Sequence, residues 1–309
     1  MKIVFMGTPY FAVPCLARLL EDGHEVSLVV TQADKPKGRG HQLAAPPVKE
    51  FALSNELEVF QPPVLKTEEV YERLEAEKAD LFVVVAYGRI LSQRLLDLPR
   101  FGCINVHASL LPRYRGAAPI QWAVLNGENE AGVTTMRMEA GLDTGDMLLT
   151  GHLALTPEMT SGELHDALSA LGASVLSDTI RQLEAGTLRP QKQDDALASY
   201  APMLDKSLSP LDFSKPAAVL HNQVRGLNPW PSACCRYGGK ILKVHRSRVG
   251  EEIADAEAGE VVKLAPFTIS CGEGSLELLE VQYEGARRMD IQDFLRGHPI
   301  GVGYVFGKE

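Results

Sequence analysis

Four short runs that are rich in apolar and β-branched residues stand in the first part of the chain. They are "KIVFMG" (2–7), "HEVSLVV" (24–30), "ADLFVVVAYG" (79–88) and "GCINVH" (102–107). Continuous rather than alternating hydrophobicity is typical of parallel strands that are covered on both faces. Helical patterns separate or follow these runs at 9–21, 64–77 and 118–126. This rhythm predicts βαβ units and a doubly wound, mostly parallel sheet, which is a Rossmann-like α/β core.

The second half of the chain changes character. Two more strands are predicted at 131–139 and 145–155, and a long amphipathic helix at 160–186 begins at Thr160 or Ser161 and stops at Gly186. The following residues are polar and rich in proline, as in a linker. A helix and five short strands then indicate a small C-terminal β-barrel with OB-like topology. We therefore expect a first domain at 1–187, a linker at 188–208 and a β-barrel domain at 209–309.

Composition and cysteine spacing narrow the function classes. Hydrophobic residues make up 45% of the chain and charged residues 23%, as in ordinary globular proteins. The five cysteines form no C-x-x-C pair, which argues against a zinc site and a disulfide framework and favours a reducing compartment. The start "MKIVFMG" fits a strand better than a signal peptide, and no apolar stretch approaches membrane-spanning length. We expect a cytoplasmic monomer without a metal or a membrane partner.

The net charge of −9 is distributed unevenly. Lys and Arg number 18 against 27 Asp and Glu in residues 1–205, and 13 against 13 in residues 206–309. The second part contains a basic cluster that has two possible interpretations. It is either a solvated strand face or a local phosphate-binding patch on an acidic protein. The cluster lies within thirteen residues that contain no acid and comprises Arg236, Lys240, Lys243, Arg246 and Arg248.

The side chains that could take part in catalysis are found first at the end of the fourth run. Asn105 and His107 alternate along a strand, so their side chains point to the same face. Alone, they also fit a buried histidine satisfied by backbone groups, next to an asparagine that caps a turn. "GLDTGDM" (141–147) adds Asp143 between glycines, in a loop that can bring a carboxylate close to another element.

The residue types at this site point to acyl transfer. No Ser or Cys stands in a nucleophile elbow, and the first βα turn, "MGTPYFAV", has one glycine where a dinucleotide site has three. A hydrolase triad and a nicotinamide oxidoreductase are therefore disfavoured. An amide and an imidazole can stabilise an oxyanion while a carboxylate orients the imidazole or takes a proton. The nucleophile must then come from the substrate.

The stretches "NVHASLLPRYRGAAPIQWAVLNGE" and "GVTTMRMEAGLDTGDML" resemble the formyltransferases that use 10-formyltetrahydrofolate. "MGTPYFAVPCLARLL", "TQADKPKGRG", "VVVAYGRIL", "RGLNPWPSA" and "DFLRGHPIGVG" extend the resemblance over the chain, to the methionyl-tRNA formyltransferases in particular. Glycinamide-ribonucleotide formyltransferases lack the second barrel, and formyltetrahydrofolate dehydrogenases continue into an aldehyde-dehydrogenase domain. Two alternatives remain open, a sugar-nucleotide formyltransferase and a non-catalytic RNA-binding protein with a formyltransferase core.

The resemblance implies transfer of a formyl group from 10-formyltetrahydrofolate to the α-amine of initiator methionyl-tRNA. Asn105 and His107 would stabilise the formyl oxygen, and Asp143 would set the tautomer of His107 and help to move the proton of the amine. The folate would lie against two segments, one at the end of the third run and one after His107. The residues implied are Tyr87, Gly88, Arg89 and Ile90, together with Ser109, Leu110, Leu111 and Pro112.

The resemblance also implies tRNA contacts in three places. A loop after the second strand would meet the acceptor stem and carries Lys35, Lys37 and Arg39. Lys206 in the linker and the basic cluster 236–248 would contact phosphates. Met203 stands where the family often carries a lysine, which puts one phosphate contact in doubt.

Overall fold

The structure, a computed structural model, describes residues 1–37, 42–253 and 255–308. The chain divides into two compact units. The first comprises Met1–Gly116, Ala131–Leu153 and His165–Ala201, and the second comprises Ala117–Glu130, Ala154–Leu164 and Pro202–Glu309. No helix in the described ranges has the length and apolarity needed to cross a membrane.

The described ranges contain the following elements. The strands are β1 (Lys2–Gly7), β2 (Glu25–Val30), β3 (Lys35–Lys37), β4 (Gln42–Ala44), β5 (Val59–Phe60), β6 (Leu81–Val85), β7 (Cys103–His107), β8 (Arg115–Gly116), β9 (Glu130–Arg137), β10 (Met147–Ala154), β11 (Tyr200–Ala201), β12 (Ala233–Tyr237), β13 (Lys240–Gly250), β14 (Val261–Leu264), β15 (Phe267–Ser270), β16 (Ser275–Tyr283) and β17 (Met289–Asp290). The α-helices are α1 (Val13–Glu21), α2 (Pro47–Ser54), α3 (Glu68–Ala76), α4 (Gln93–Leu96), α5 (Pro119–Leu125), α6 (Ser161–Glu184), α7 (Ala217–Gly226) and α8 (Ile291–Gly297).

A seven-stranded sheet in the order β10-β9-β7-β6-β1-β2-β5 forms the core of the first unit. β1 pairs in parallel with β2 and β6, β2 with β5 and β6 with β7, whereas β9 runs antiparallel to β7. The predicted mostly parallel α/β sheet is therefore confirmed. All five residues of β6 are buried, as its continuous hydrophobicity requires. Because the chain turns to opposite sides of β1 to form β2 and β6, a crevice opens at the carboxyl ends of β1 and β6.

The long helix α6 begins and ends with the predicted signals. Glu163 N–H donates to Thr160 Oγ1 (3.2 Å), and Glu163 Oε2 accepts from Thr160 N–H (2.8 Å), so the two residues form a capping box. Gly186 follows the helix with a φ of 67°, the left-handed conformation in which glycine commonly ends helices.

The second unit contains an antiparallel sheet in the order β12-β13-β16-β15-β14, with β17 paired to β16. In the part of the chain that the structure describes, no ladder joins β12 to β14. The predicted separate C-terminal β domain is therefore confirmed, but within the described residues its sheet is open and does not close into a barrel. Returning chain segments occupy the two edges instead. Val261 N–H donates to Tyr304 O (2.8 Å), and Cys234 N–H donates to Ser209 O (2.8 Å), so both edge strands have partners without closure.

Candidate active site

Strand β7 delivers Asn105 and His107 to one face of the sheet. Asn105 lies opposite Met136 and His107 opposite Thr134 in the antiparallel pairing with β9. His107 is buried and Asn105 is half-buried. Among the described residues, no hydrogen bond engages the side-chain amide of Asn105. This amide is therefore free to donate to a ligand.

The two ring nitrogens of His107 have different partners. Nε2 lies 2.9 Å from the carbonyl oxygen of Tyr114. A carbonyl can only accept, so Nε2 carries a proton. Nδ1 faces Asp143 Oδ2 at 3.7 Å, which is longer than a hydrogen bond. Tyr114 O, rather than Asp143 as the sequence led us to expect, fixes the tautomer. In the neutral form of the ring, the Nδ1 lone pair of His107 therefore faces a carboxylate.

A tight turn brings Asp143 to this position. Asp143 has a φ of 53°, in the sparsely populated left-handed region, and its Oδ2 accepts the N–H of Gly116 at 2.9 Å. A side chain at position 145 would collide with the carbonyl oxygen of Arg137, so the turn requires Gly145. The G-L-D-T-G segment thus places the carboxylate between His107 and the 114–116 segment.

The crevice between β1 and β6 is lined by polar groups from three strand ends. The carbonyl oxygen of Tyr87 accepts hydrogen bonds from Thr8 Oγ1 (3.1 Å) and Gln32 Nε2 (2.8 Å). The side chain of Tyr87 is buried in the core, whereas Ile90 is 76% exposed. Arg89 donates from Nη1 to Pro63 O at 2.7 Å. The carbonyl of Tyr87 is thus engaged within the protein, and the segment offers the exposed backbone at Gly88 and the exposed side chain of Ile90 to a ligand.

The segment after His107 is held by Thr134. Thr134 Oγ1 donates to Ser109 O (2.7 Å) and accepts from Leu111 N–H (3.1 Å). Ser109 and Leu111 are buried, and Leu110 and Pro112 are half-buried. Of the four residues predicted to contact folate here, Leu110 and Pro112 are the more accessible.

The site has no thiol nucleophile in the described residues that flank it. Burial raises the pKa of the Cys103 thiol, in the strand that carries Asn105, to about 12. It does the same to Cys15. A thiolate, which is the reactive form, is thus strongly disfavoured at both positions. Within the described ranges no group of three or more His, Cys, Asp or Glu residues is arranged to hold a metal ion.

The predicted acceptor-stem loop begins and ends in a β-hairpin. Lys35 pairs with Ala44 and Lys37 with Gln42. Lys35 Nζ donates to Gln32 Oε1 at 3.0 Å. Arg39 and the side chain of Lys37 lie outside the described residues.

An ionic cluster anchors the base of this hairpin. Lys49 Nζ lies 2.8 Å from Asp34 Oδ2 and 2.8 Å from Gln61 Oε1, and Gln61 Nε2 donates to Asp34 Oδ1 at 2.9 Å. Hydrogen bonds from Lys49 and Gln61 hold the pKa of Asp34 below its usual range. The carboxylate is therefore ionised at neutral pH, and it ties the chain before the hairpin to α2 and to the residue after β5.

Four of the five basic residues in the cluster 236–248 form two pairs with different surroundings. Arg246 pairs with Glu163 (2.6 Å) and Arg248 with Glu277 (2.5 Å), so carboxylates neutralise both. Among the described residues, no carboxylate lies within ion-pair distance of Arg236 or Lys243. These two share the outer face of β12 and β13, because Arg236 lies opposite Ile241 and Cys234 opposite Lys243.

The two remaining basic candidates have other surroundings. Lys240 Nζ lies 5.6 Å from the ring centre of Tyr283. Lys206 is exposed in a short 3-10 helix that the Asp205 carboxylate caps. Met203, where the resemblance suggested a lysine, is 77% exposed.

Sequence reasoning missed the 114–116 segment as part of the site. Tyr114 acts through its carbonyl and Gly116 through its N–H. Almost every residue has these backbone groups, so the residue types did not show that these two take part in the site. The glycine was the available clue, because Gly116 has a φ of 115°, a conformation that L residues rarely adopt.

Comparison with known proteins places the chain in a family. The formyl transferase model matches residues 1–180, and the model of the formyl transferase C-terminal domain matches residues 203–299. The methionyl-tRNA formyltransferase of Acetivibrio thermocellus is 49% identical over an alignment of 311 positions that covers 100% of both chains. That of Acidobacterium capsulatum is 51% identical over 303 residues, which are 97% of both chains.

Solved structures share the fold at low identity. HypX from Aquifex aeolicus, in complex with tetrahydrofolic acid, superposes with a TM-score of 0.66 at 18% identity, covering 98% of this chain and 48% of its own. A sugar 3N-formyl transferase, solved with dTDP and 5-N-formyl-THF, gives a TM-score of 0.65 at 21% identity, covering 93% and 99%. The chain therefore belongs to the formyl transferase family, and along its whole length it matches the methionyl-tRNA formyltransferases.

Proposed function

We propose that this protein transfers the formyl group of 10-formyltetrahydrofolate to the α-amine of initiator methionyl-tRNA, giving N-formylmethionyl-tRNA for translation initiation. The observation that carries the proposal is the meeting of Asp143 with His107, two residues from the free amide of Asn105, in a chain 49% identical to a methionyl-tRNA formyltransferase over its full length. Residues 1–187 would be the catalytic domain, 188–208 the linker and 209–309 the tRNA-binding domain of a cytoplasmic monomer.

The proposed chemistry assigns each side chain one task. The amine nitrogen bonds to the formyl carbon while the bond to the donor nitrogen breaks. The Asn105 amide donates to the formyl oxygen, where negative charge collects. His107 was expected to stabilise the formyl oxygen as well, but its Nε2–H is committed to Tyr114 O, so in this proposal it accepts the proton of the amine at Nδ1 instead. Asp143 stabilises the resulting imidazolium. The same proton then passes to the departing nitrogen, so His107 returns to its neutral form.

A folate ring would bind in this crevice. The amide-like edge of a pterin suits main-chain donors and acceptors, and Tyr87 to Ile90 present backbone with their one large apolar side chain exposed. These residues would bind the ring, and Leu110 and Pro112 would lie beside the formyl-bearing end. The donor supplies the formyl group, and the protein supplies orientation and charge stabilisation.

An acceptor comparison tests the proposed function. Methionyl-tRNA and a dTDP-linked amino sugar are offered separately with 10-formyltetrahydrofolate. We expect kcat/KM for methionyl-tRNA to exceed that for the sugar by about 10⁴, since specific polar recognition supports such ratios. Equal or inverted preference would favour a sugar-nucleotide formyltransferase. No transfer to either acceptor would favour a non-catalytic RNA-binding protein.

The salt dependence of tRNA binding should depend on Arg236 and Lys243. Replacing both with alanine should raise KM for methionyl-tRNA and flatten the slope of log affinity against log salt by about one to two units, at roughly 0.7–0.9 per lost phosphate contact. Transfer at saturating tRNA should be unaffected. Binding measured at four salt concentrations provides the slope.

The double variant R246A/R248A is the matched control for this test. Both guanidinium groups are already paired with carboxylates, so we expect its slope to equal that of the wild type. A larger effect of R246A/R248A than of R236A/K243A would contradict this assignment of the phosphate contacts.

Replacing Arg39 should weaken the use of methionyl-tRNA without changing the affinity for the folate donor. We expect Arg39→Ala to raise KM for methionyl-tRNA while the Kd of the folate donor stays unchanged, because the resemblance assigns the loop to the acceptor stem. Folate affinity is followed by fluorescence titration and tRNA use by initial rates. An equal loss of folate affinity would assign the loop to the donor site instead.

A further inference from the structure

Residues 191–201, which the sequence assigned to the linker, are part of the first unit. Gln191 and Met147 exchange two backbone hydrogen bonds of 2.8 Å. Ser199 accepts the N–H of Arg115 on its carbonyl (2.8 Å) and the N–H of Tyr114 on its hydroxyl (2.9 Å). The segment therefore contacts both loops that surround His107 and Asp143.

The side chain of Gln193 lies between these two loops. Its Nε2 donates to the carbonyl oxygens of Asp143 and Gly145, both at 2.8 Å. Its Oε1 accepts from Nε (3.0 Å) and Nη2 (2.8 Å) of Arg115. A primary amide has two N–H donors and one acceptor oxygen with two lone pairs, so this side chain is fully engaged.

These contacts constrain the geometry of the site from two sides. The two tethered carbonyls span the turn in which Asp143 adopts its left-handed φ of 53°. Arg115 stands between Tyr114, which accepts from His107, and Gly116, which donates to Asp143. Loss of the tethers would allow the turn to relax toward more populated backbone angles. The carboxylate would then move away from His107.

We propose that Gln193 is a positioning residue for the formyl transfer, and that it acts through its two N–H donors by holding Asp143 against His107 and Gly116. The inference rests on the proposed function, since it assigns Gln193 a part in the same reaction. It gives residues 191–201, which lie within the proposed linker, a role in catalysis.

The variant Gln193→Glu separates the two halves of the amide. A glutamate keeps an acceptor for Arg115 but cannot donate to the carbonyls of Asp143 and Gly145. We expect Q193E and Q193A to lower kcat by about 10²-fold, the effect of a displacement of about 1 Å, with little change in either KM. Q191A is the matched control, because Gln191 is exposed and contacts Met147 through its backbone. It should retain wild-type kcat.

Two further readouts distinguish positioning from general support of the fold. In a D143N background, Q193E should cause no more than about a twofold further loss, because contacting residues that act through one group are not additive. In protein labelled with ¹⁵N-glycine, the Gly116 amide proton should move upfield in Q193E and not in Q191A, as its bond to Asp143 weakens. Melting temperatures control for folding.

The outcomes are separable from those of the proposed function. Wild-type protein that fails to formylate methionyl-tRNA would reject the proposed acceptor, while the Gly116 resonance, which needs no substrate, still tests the position of Asp143. Wild-type kcat in Q193E, or an unchanged Gly116 resonance, would overturn the positioning role.

Discussion

Asn105→Ala should lower kcat by about 10²–10³, the usual cost of removing one donor to a developing oxyanion. The side-chain amide of Asn105 makes no hydrogen bond to the described residues and lies two positions from His107 in β7. Its removal therefore leaves no buried protein group without a partner. The Kd of the folate donor should change little, because the charge that the amide stabilises forms only during transfer. Single-turnover rates and folate titration measure the two quantities.

The variant Asn105→Asp tests the donor role of this side chain more specifically than Asn105→Ala does. It keeps the size of the side chain but can replace the N–H donors with a carboxylate, which would repel the negative charge on the formyl oxygen. We expect N105D to be at least as slow as N105A. A rate near that of the wild type in N105D would remove the donor role from the mechanism.

Asp143→Ala should lower kcat by about 10²–10⁴, the range for a group that assists proton transfer. Two effects combine in this variant, because Asp143 both faces Nδ1 of His107 at 3.7 Å and accepts the N–H of Gly116. Asp143→Asn separates them. Asparagine can still accept from Gly116 but has no charge to stabilise an imidazolium. We expect the loss of charge to be the larger of the two effects, so D143N should lose most of the rate that D143A loses.

Asp146 provides the control for this pair. It lies in the same loop, and its backbone carbonyl accepts from Arg137 N–H at 2.9 Å. We expect D146N to keep wild-type kcat and KM, since its side chain has no assigned role. Wild-type activity in D143N, or a loss in D146N equal to that in D143N, would contradict the assignment of the carboxylate.

The parts of the fold that could be read from the sequence are those with a local periodic signal. The runs that became β1 and β6 are almost entirely buried and contain uninterrupted apolar stretches. The capping box of α6 occupies four consecutive positions. Closure of the C-terminal sheet has no such signal, because it depends on whether the edge residues of β14 bond to β12 or to the returning chain at Tyr304.

The site likewise combines features that neighbouring residues predict with contacts between residues that are far apart in the sequence. Asn105 and His107 share a strand, so alternation predicted their common face. The partners that complete the site come from further away. Gln193 contacts the Asp143 carbonyl across 50 residues, and Arg246 meets Glu163 across 83. A count of charges within 236–248 could not show that two of its five basic residues are neutralised by acids elsewhere in the chain.

Following a labelled formyl carbon through a single turnover tests the central claim most directly. Enzyme in excess is mixed with 10-formyltetrahydrofolate, labelled at that carbon, and methionyl-tRNA, and the quenched products are separated into protein, tRNA and folate fractions. Direct attack by the amine predicts that the label passes to N-formylmethionine esterified to tRNA without appearing on the protein, and that N105D and D143N slow this passage. Label retained on the protein, or absent from methionyl-tRNA while the donor is consumed, would contradict it.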